Sequence, residues 1–280
     1  MNIYNTISDF RRYRQSVEGK TIVFVPTMGA LHEGHGSLVQ LARKMAGPNG
    51  IAAVSIFVNP TQFGPNEDFH KYPRPFEQDV ACVTRWGGDV IFAPSPEEMY
   101  PVAPAISVDP GPLGEVLDGA IRPGHFRGVC TIVAKLLGIV EPEAMILGRK
   151  DFQQQLILRR MALDLNMPVE VITAPTMREA DGLAMSSRNR YLSVEQRAKA
   201  GAIYQALCWA RDQYQGGKRA AAALESGMRE RLEQAGMDVQ YALACHSETL
   251  TPFNSLVDTP GVLLIAAKLG TTRLIDNAPL

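Results

Sequence analysis

Two histidines three positions apart, His32 and His35, lie in the run Pro26-Thr27-Met28-Gly29-Ala30-Leu31-His32-Glu33-Gly34-His35. An apolar run, Thr21 to Val25, precedes it, and Leu38, Leu41, Ala42 and Met45 follow at helical spacing within Ser37 to Ala46. The pattern predicts a strand, a glycine-bearing turn and a helix start. Free backbone N–H groups and the positive end of a helix dipole suit such a mouth to a phosphate, and two imidazoles add donors that follow charge as it develops. Paired histidines also serve as metal ligands or as hydrogen-bonded turn residues, so this run alone leaves those alternatives open. His32-Glu33-Gly34-His35 departs from His-Glu-x-x-His, because its histidines are three rather than four apart, and a zinc hydrolase is not indicated.

Other clusters end other apolar runs. Met145-Ile-Leu147-Gly148-Arg149-Lys150-Asp151-Phe-Gln-Gln154 combines a glycine open to close approach, a cation suited to phosphate and a carboxylate suited to ribose hydroxyls. A helix start at Asp151 with Lys150 in solvent is the plain alternative. Gln153 and Gln154 point about 100° apart on the following helix, so one of the two faces a pocket. Asn59 and Gln62, in Phe57-Val-Asn59-Pro-Thr-Gln62-Phe, carry neutral amides that suit a hydroxylated anion, or form an Asn-Pro turn. In the polar stretch Pro175 to Arg190, Ser186, Ser187 and Arg188 offer two hydroxyls and a guanidinium fork to phosphate oxygens, or cap and turn the chain. Arg122, His125 and Arg127 form a basic turn that binds an anion or hydrogen-bonds carbonyls.

The elements that position these residues follow from the apolar runs Thr21 to Val25, Ile51 to Val58, Val90 to Ala93, Ala144 to Leu147 and Val169 to Ala174. Helical spacing falls at Ser37 to Ala46, Phe76 to Trp86, Val129 to Ile139 and Phe152 to Leu165. Such alternation predicts an α/β fold with a parallel, doubly wound sheet, where ligands collect at the carboxyl ends of the strands. After Ala174 come alanine-rich helices near Val194 to Tyr214 and Arg219 to Ala235, a strand at Asp238 to Ala244, and a hairpin of Val262 to Ala267 with Thr272 to Ile275. We expect two domains, 1–175 and a smaller α+β domain, 176–280.

A formal net charge of −1 in 280 residues gives no electrostatic footprint for non-specific nucleic-acid binding. Cys82, Cys130, Cys208 and Cys245 form no Cys-x-x-Cys pair, and reduced structural thiols are expected. No apolar run approaches the roughly 20 residues of a membrane span, and the amino terminus lacks a signal-like pattern. The expectation is a cytoplasmic protein that acts on small molecules, without nucleic acid or membrane partners.

Six runs together resemble the pantothenate synthetase family, the ATP-dependent ligases that join pantoate and β-alanine. They are the His32 and Asn59 runs, Arg122-Pro-Gly-His-Phe-Arg-Gly-Val129, the Lys150 run, Arg178-Glu-Ala-Asp-Gly-Leu-Ala-Met-Ser-Ser-Arg-Asn189 and Lys268-Leu-Gly-Thr-Thr-Arg-Leu-Ile-Asp-Asn277. The resemblance implies a Rossmann-like nucleotidyltransferase domain followed by a lid-like domain, in a homodimer. It implies ATP contacts at Met28, Gly29, Ala30, Leu31, His32, Glu33, Gly34 and His35, at Gly148, Arg149, Lys150 and Asp151, at Met177, and at Met185, Ser186, Ser187 and Arg188. His35 matches the catalytic acid, with His32 as its companion and Lys150 as a further catalytic donor. Gln62 matches a residue touching both pantoate and β-alanine, Gln154 a second pantoate contact, and Asn59 lies in the matching pantoate pocket. Gly36 departs from the pattern, since members often carry leucine there, and glycine is expected to loosen the mouth.

The implied reaction converts (R)-pantoate and ATP to pantoyl adenylate and pyrophosphate, and then, with β-alanine, to pantothenate and AMP, within pantothenate and coenzyme A biosynthesis. Mg²⁺ is expected to arrive with ATP, held by its phosphates and water rather than by protein ligands. Closure of the smaller domain and of a loop around Gly64 to Pro75 is the expected gate against water. Two rivals remain: a nucleotidyltransferase that keeps the nucleotide on its product, and a nucleotide-binding regulator with no turnover.

Overall fold

The computed structural model describes residues 1–65, 67, 69–257 and 260–280, and the chain divides into two compact units. Met1–Gly148 with Gln153–Ala174 form the first, and Arg149–Phe152 with Pro175–Leu280 the second. The expected gate, Gly64 to Pro75, includes Asn66 and Asp68, which lie outside the described residues.

In the first unit the chain runs β1 (Asn2–Tyr4), α1 (Ile7–Ser16), β2 (Ile22–Thr27), α2 (Glu33–Ala46), β3 (Ile51–Ile56), α3 (Phe76–Arg85) and β4 (Val90–Phe92). It continues through α4 (Pro96–Met99), α5 (Asp118–Ile121), α6 (His125–Val140), β5 (Ala144–Gly148), α7 (Phe152–Asp164) and β6 (Glu170–Ala174). The strands form one parallel sheet in the order β1-β4-β3-β2-β5-β6. Ile22, Phe24, Val90, Phe92, Met145 and Leu147 pack with Phe10 of α1 and Val129, Val133 and Leu136 of α6. The alternate residues Val23, Val25, Ala52, Val54, Ile91 and Ile146 pack with Leu38, Val39 and Ala42 of α2 and Val83 of α3. Helices therefore cover both faces. This is why these strands read as unbroken apolar runs rather than as apolar and polar residues in alternation.

From β2 the chain steps outward to β3 and β4, and it later returns to place β5 against the other side of β2, Val23 opposite Ala144. The strand order reverses at that point, where open α/β sheets bind ligands.

The second unit holds α8 (Val194–Ala200), α9 (Ala202–Gln215), α10 (Ala221–Gln234) and the antiparallel strands β7 (Asp238–His246), β8 (Gly261–Leu269) and β9 (Thr272–Pro279). Ile203, Leu207, Leu224 and Met228 from the helices close over Ala242, Leu263, Ile265 and Leu274 of the sheet. Among the described residues no helix is long and apolar enough to cross a membrane.

Several boundaries differ from the sequence reading. α2 begins at Glu33 rather than Ser37, because its first turn is built from polar and glycine residues, and α6 at His125 rather than Val129, because one apolar residue, Phe126, in its first turn sets no period. The segment expected as one helix, Val194 to Tyr214, is two, with Gly201 between them. The short edge strand β1 has no apolar run to announce it.

Candidate active site

β3, β2 and β5 are neighbours, so the turns that leave their carboxyl ends lie side by side: the Asn59 turn after β3, the histidine turn after β2 and Gly148 at the end of β5. Gly148 comes within 3.9 Å, measured from an added Cβ, of Leu38 on α2. The Asn59 and histidine clusters, with Gly148, thus share one edge of the first unit.

The histidine turn is held from within. His32 is the N-cap of α2, its Nδ1 accepting from Gly34 N at 3.1 Å, while His35 Nδ1 accepts from His32 N at 3.3 Å. The two rings lie 4.1 Å apart, centroid to centroid. Since both Nδ1 atoms act as acceptors, the neutral rings carry their proton on Nε2. Ahead of the cap, Ala30 adopts a positive φ of 52°, a strained conformation for a side chain with a Cβ. Asp79, 2% exposed in the first turn of α3, accepts from Ala30 N at 2.9 Å and Leu31 N at 2.8 Å. The expectation of a mouth lined by free N–H groups is corrected accordingly. At Ala30, Leu31, His32 and Gly34 those donors bind side chains of the protein, because a strained turn must have its buried N–H groups paired before it can persist. Asp79 was missed because its partners lie 48 and 49 positions away.

Gly36 sits inside α2, and a Cβ there would meet the Trp86 ring at 2.6 Å. The indole is buried, and its Nε1 donates to Glu33 Oε2 at 3.2 Å. Gly36 therefore admits a large side chain against the first turns of α2.

Asn59 and Gln62 are both buried. Asn59 Nδ2 donates to Gln62 Oε1 at 3.1 Å and Gly128 O at 3.2 Å, and Asn59 Oδ1 accepts from Tyr100 Oη at 2.9 Å. Its amide is committed to protein and orients Gln62. Gln62 Nε2 lies 3.2 Å from Met28 Sδ, which ties the Asn59 turn to the histidine turn. α6 approaches the Asn59 turn so closely that a Cβ on Gly128 would overlap Thr61 O.

His125 supports Gln62 from behind. Its Nδ1 donates to Gln62 O at 2.8 Å, and its Nε2 lies 2.9 Å from Arg122 Nη1. Burial, reinforced by the Arg122 charge, pushes the His125 pKa down to about 4. Arg122 also binds both oxygens of Glu67, at 2.6 and 2.7 Å. Burial raises the Glu67 carboxyl, but hydrogen bonds and charge from Arg122 outweigh it and hold the group below its ordinary value. Arg127 pairs with Asp109 at 2.9 Å. Within the basic turn, the carbonyl-bonding alternative describes His125 alone, while Arg122 and Arg127 pair with carboxylates of the protein. Gln153 is likewise internal, accepting from Asp118 N and donating to Leu113 O and Val116 O, and Gln154 beside it is half-buried.

The remaining candidates belong to the second unit. Lys150 is 3.6 Å from Asp151, and Asn277 donates from Nδ2 to Arg149 O at 2.9 Å and Lys150 O at 3.0 Å. Met177 and Met185 are paired ends of a small hairpin, with Met185 N donating to Met177 O at 3.0 Å and Arg178 bridged to Ala184. Ser186 caps the 3-10 turn Ser187–Tyr191, its Oγ accepting from Arg188 N at 3.3 Å, and a hydroxyl used this way keeps its own proton to donate. Asn189 holds the hairpin through Glu179 Oε1 and Ala184 O.

The family model for pantoate-beta-alanine ligase matches residues 2–279. The chain belongs to the pantoate-beta-alanine ligase family. A pantothenate synthetase of Nocardioides sp. is 49% identical over 268 residues, covering 94% of this chain and 79% of that protein. Pantothenate synthetase 1 of Bradyrhizobium diazoefficiens is 47% identical over 282 aligned positions, covering 100% of this chain and 98% of that one. The crystal structure of pantothenate synthetase from Thermus thermophilus superposes with a TM-score of 0.91 at 43% identity, covering 99% of each chain. The pantoate-beta-alanine ligase of Francisella tularensis, described in complex with β-γ ATP and β-alanine, gives a TM-score of 0.82 at 34% identity, covering 99% and 97%. Membership of the pantoate-beta-alanine ligase family accounts for the order of all six sequence runs and for the α/β architecture.

Proposed function

We propose that this ligase joins (R)-pantoate to β-alanine through pantoyl adenylate. The observation that carries the reading is the row of turns on adjacent strands, which brings the His32–His35 donors beside the Gln62 amide and Met28 within one unit. A carboxylate is a poor acyl donor to an amine. In the first step a pantoate carboxylate oxygen attacks the α-phosphorus of ATP, and the bond from that phosphorus to the bridging oxygen breaks, releasing pyrophosphate. The protein supplies positioning and donors rather than a nucleophile. His32 and His35 donate from Nε2 to phosphate oxygens as charge moves onto the leaving group, joined by Lys150, Ser186, Ser187 and Arg188. Met28 to His35, Gly148 to Asp151 and Met177 form the other ATP contacts.

In the second step the neutral amine of β-alanine attacks the acyl carbon, the bond to the AMP oxygen breaks, and the amine loses a proton to solvent. Gln62 holds both organic substrates, Gln154 contacts pantoate, and Asn59 and His125 keep Gln62 in place. ATP enters as its Mg²⁺ complex. The ion would be held largely by the nucleotide's own phosphates and water. The reading further places a nucleotidyltransferase domain in residues 1–175 and a lid domain in 176–280, with a homodimer working in the cytoplasm.

The test is incubation with Mg·ATP and (R)-pantoate, with and without β-alanine, following pyrophosphate, AMP and pantothenate by mass spectrometry. Pantoate-dependent pyrophosphate, then AMP and pantothenate on adding β-alanine, is expected. Pyrophosphate without free AMP would indicate nucleotide transfer to a retained product, and no pantoate-dependent pyrophosphate would refute the acceptor.

A further inference from the structure

The last of the six runs ends in Asp276 and Asn277, adjacent residues of β9 whose side chains take opposite faces of the sheet. Both are buried. Asp276 binds Arg178 with both oxygens, Nη1 to Oδ2 at 2.6 Å and Nη2 to Oδ1 at 3.0 Å, and Oδ1 also accepts from Asn277 N at 2.8 Å. Arg178 donates to Gly182 O at 3.0 Å and stacks 4.0 Å over the Tyr204 ring. It therefore has one orientation, and it sits in the hairpin between Met177 and the stretch Met185 to Arg188. Asn277 gives both amide hydrogens to Arg149 O and Lys150 O. The reversed amide would set oxygen against two carbonyl oxygens, so its orientation is also fixed.

We infer that Asp276 and Asn277 are positioning residues for adenylation, Asn277 setting the turn that carries Lys150 and Asp276, through Arg178, setting the hairpin that carries Met177 and Met185 to Arg188. The inference rests on reading those segments as nucleotide contacts. Two features separate this role from stabilisation of the small domain alone. A buried carboxylate and a buried amide oxygen without a partner among the described residues, Asn277 Oδ1, are costs that apolar residues of similar size would avoid. Moreover, the two neighbours reach two separate segments, and each segment is proposed to touch the same ligand.

The roles give different kinetic signatures. Displacing the Lys150 turn removes an interaction that strengthens in the transition state, and so lowers kcat. Loosening the Met177 hairpin removes uniform binding at Met177 together with part of the phosphate contact from Ser186 to Arg188, and so raises KM for ATP with a smaller loss of kcat. Rapid-quench measurement of pyrophosphate from Mg·ATP and pantoate should show kcat down about 10²-fold for Asn277→Asp and Asn277→Ser, the loss expected of an ångström-scale misplacement. Asp276→Asn should raise KM for ATP by about tenfold with a smaller change in kcat. Aminolysis of saturating pantoyl adenylate by β-alanine should stay within about threefold in all of them, because no pyrophosphate leaves in that step. Two Asn277 variants are made so that either one that melts cooperatively decides the matter. Equal losses in both half-reactions, or normal adenylation by a folded Asn277 variant while Lys150→Ala is slow, would overturn the inference alone. Normal adenylation by Lys150→Ala would overturn the nucleotide reading beneath it.

Discussion

His32 and His35 brace one helix start: His32 Nδ1 accepts from Gly34 N in the first turn of α2, and His35 Nδ1 accepts from the N–H of His32, the N-cap residue. Both rings should therefore be Nε2–H tautomers when neutral, which long-range ¹⁵N–¹H correlation spectra of the ring nitrogens would report directly. A proton on Nδ1 of either ring would contradict the cap. His32→Asn should keep the helix start, since asparagine is a good N-cap, and leave stability within about 1 kcal/mol while adenylation falls. His35→Ala should lower adenylate formation far more than pantoate affinity, because its interaction grows with transition-state charge. Equal losses would count against it.

Asp79 pairs two donors of a turn strained at Ala30. Asp79→Asn keeps the shape but sets an N–H₂ group against one of those N–H groups, leaving a buried donor unpaired at a cost of about 1–3 kcal/mol. Urea unfolding should show that loss, and adenylation should slow as the turn relaxes. A variant with unchanged stability would mean that the turn is held without the carboxylate.

Gln62 joins the histidine turn to the Asn59 turn through Met28. For Gln62→Ala we expect higher KM for pantoate and β-alanine with ATP affinity little changed. A selective ATP defect in substrate-saturation kinetics would move Gln62 out of the organic-substrate pocket.

His125 makes stability depend on pH in a definite direction. Its folded pKa of about 4 lies below the ordinary 6.5, so below pH 6.5 the unfolded chain binds a proton that the native protein refuses. Its contribution is present above pH 6.5 and is lost as pH falls toward 4, amounting to about 2 kcal/mol between pH 7.5 and pH 5. His125→Gln, which retains a donor for Gln62 O, should show a smaller loss in paired urea melts at those two pH values. An unchanged difference would show that other groups carry the acid sensitivity.

Gly36 and Trp86 should behave as a pair. Gly36→Ala places a methyl group within the indole and should cost about 1–3 kcal/mol by overpacking, although alanine is the better helix former. Combining it with Trp86→Leu should recover part of that cost in a double-mutant cycle of thermal melts. Additive losses would show that the two do not share the space.

The amino-acid sequence by itself determined five of the strands in the first unit and the long helices between them, the parallel sheet and the turns that carry His32, Asn59 and Lys150, but not β1 or α1. Apolar runs buried on both faces and glycine-bearing strand ends are local signals, written in consecutive residues. Its six runs also sufficed to place the chain in its family. Only the tertiary structure decided what each polar group does. Ala30 and Leu31 meet Asp79 across 49 and 48 positions, and Lys150 O meets Asn277 across 127. Such pairs have no period, because they depend on which strands become neighbours and not on the dihedral preferences of either segment. The same applies to Gly36. By sequence it is a weak helix residue, and in the fold it is the space that a distant tryptophan fills, since packing density rather than local propensity sets the value of a missing side chain.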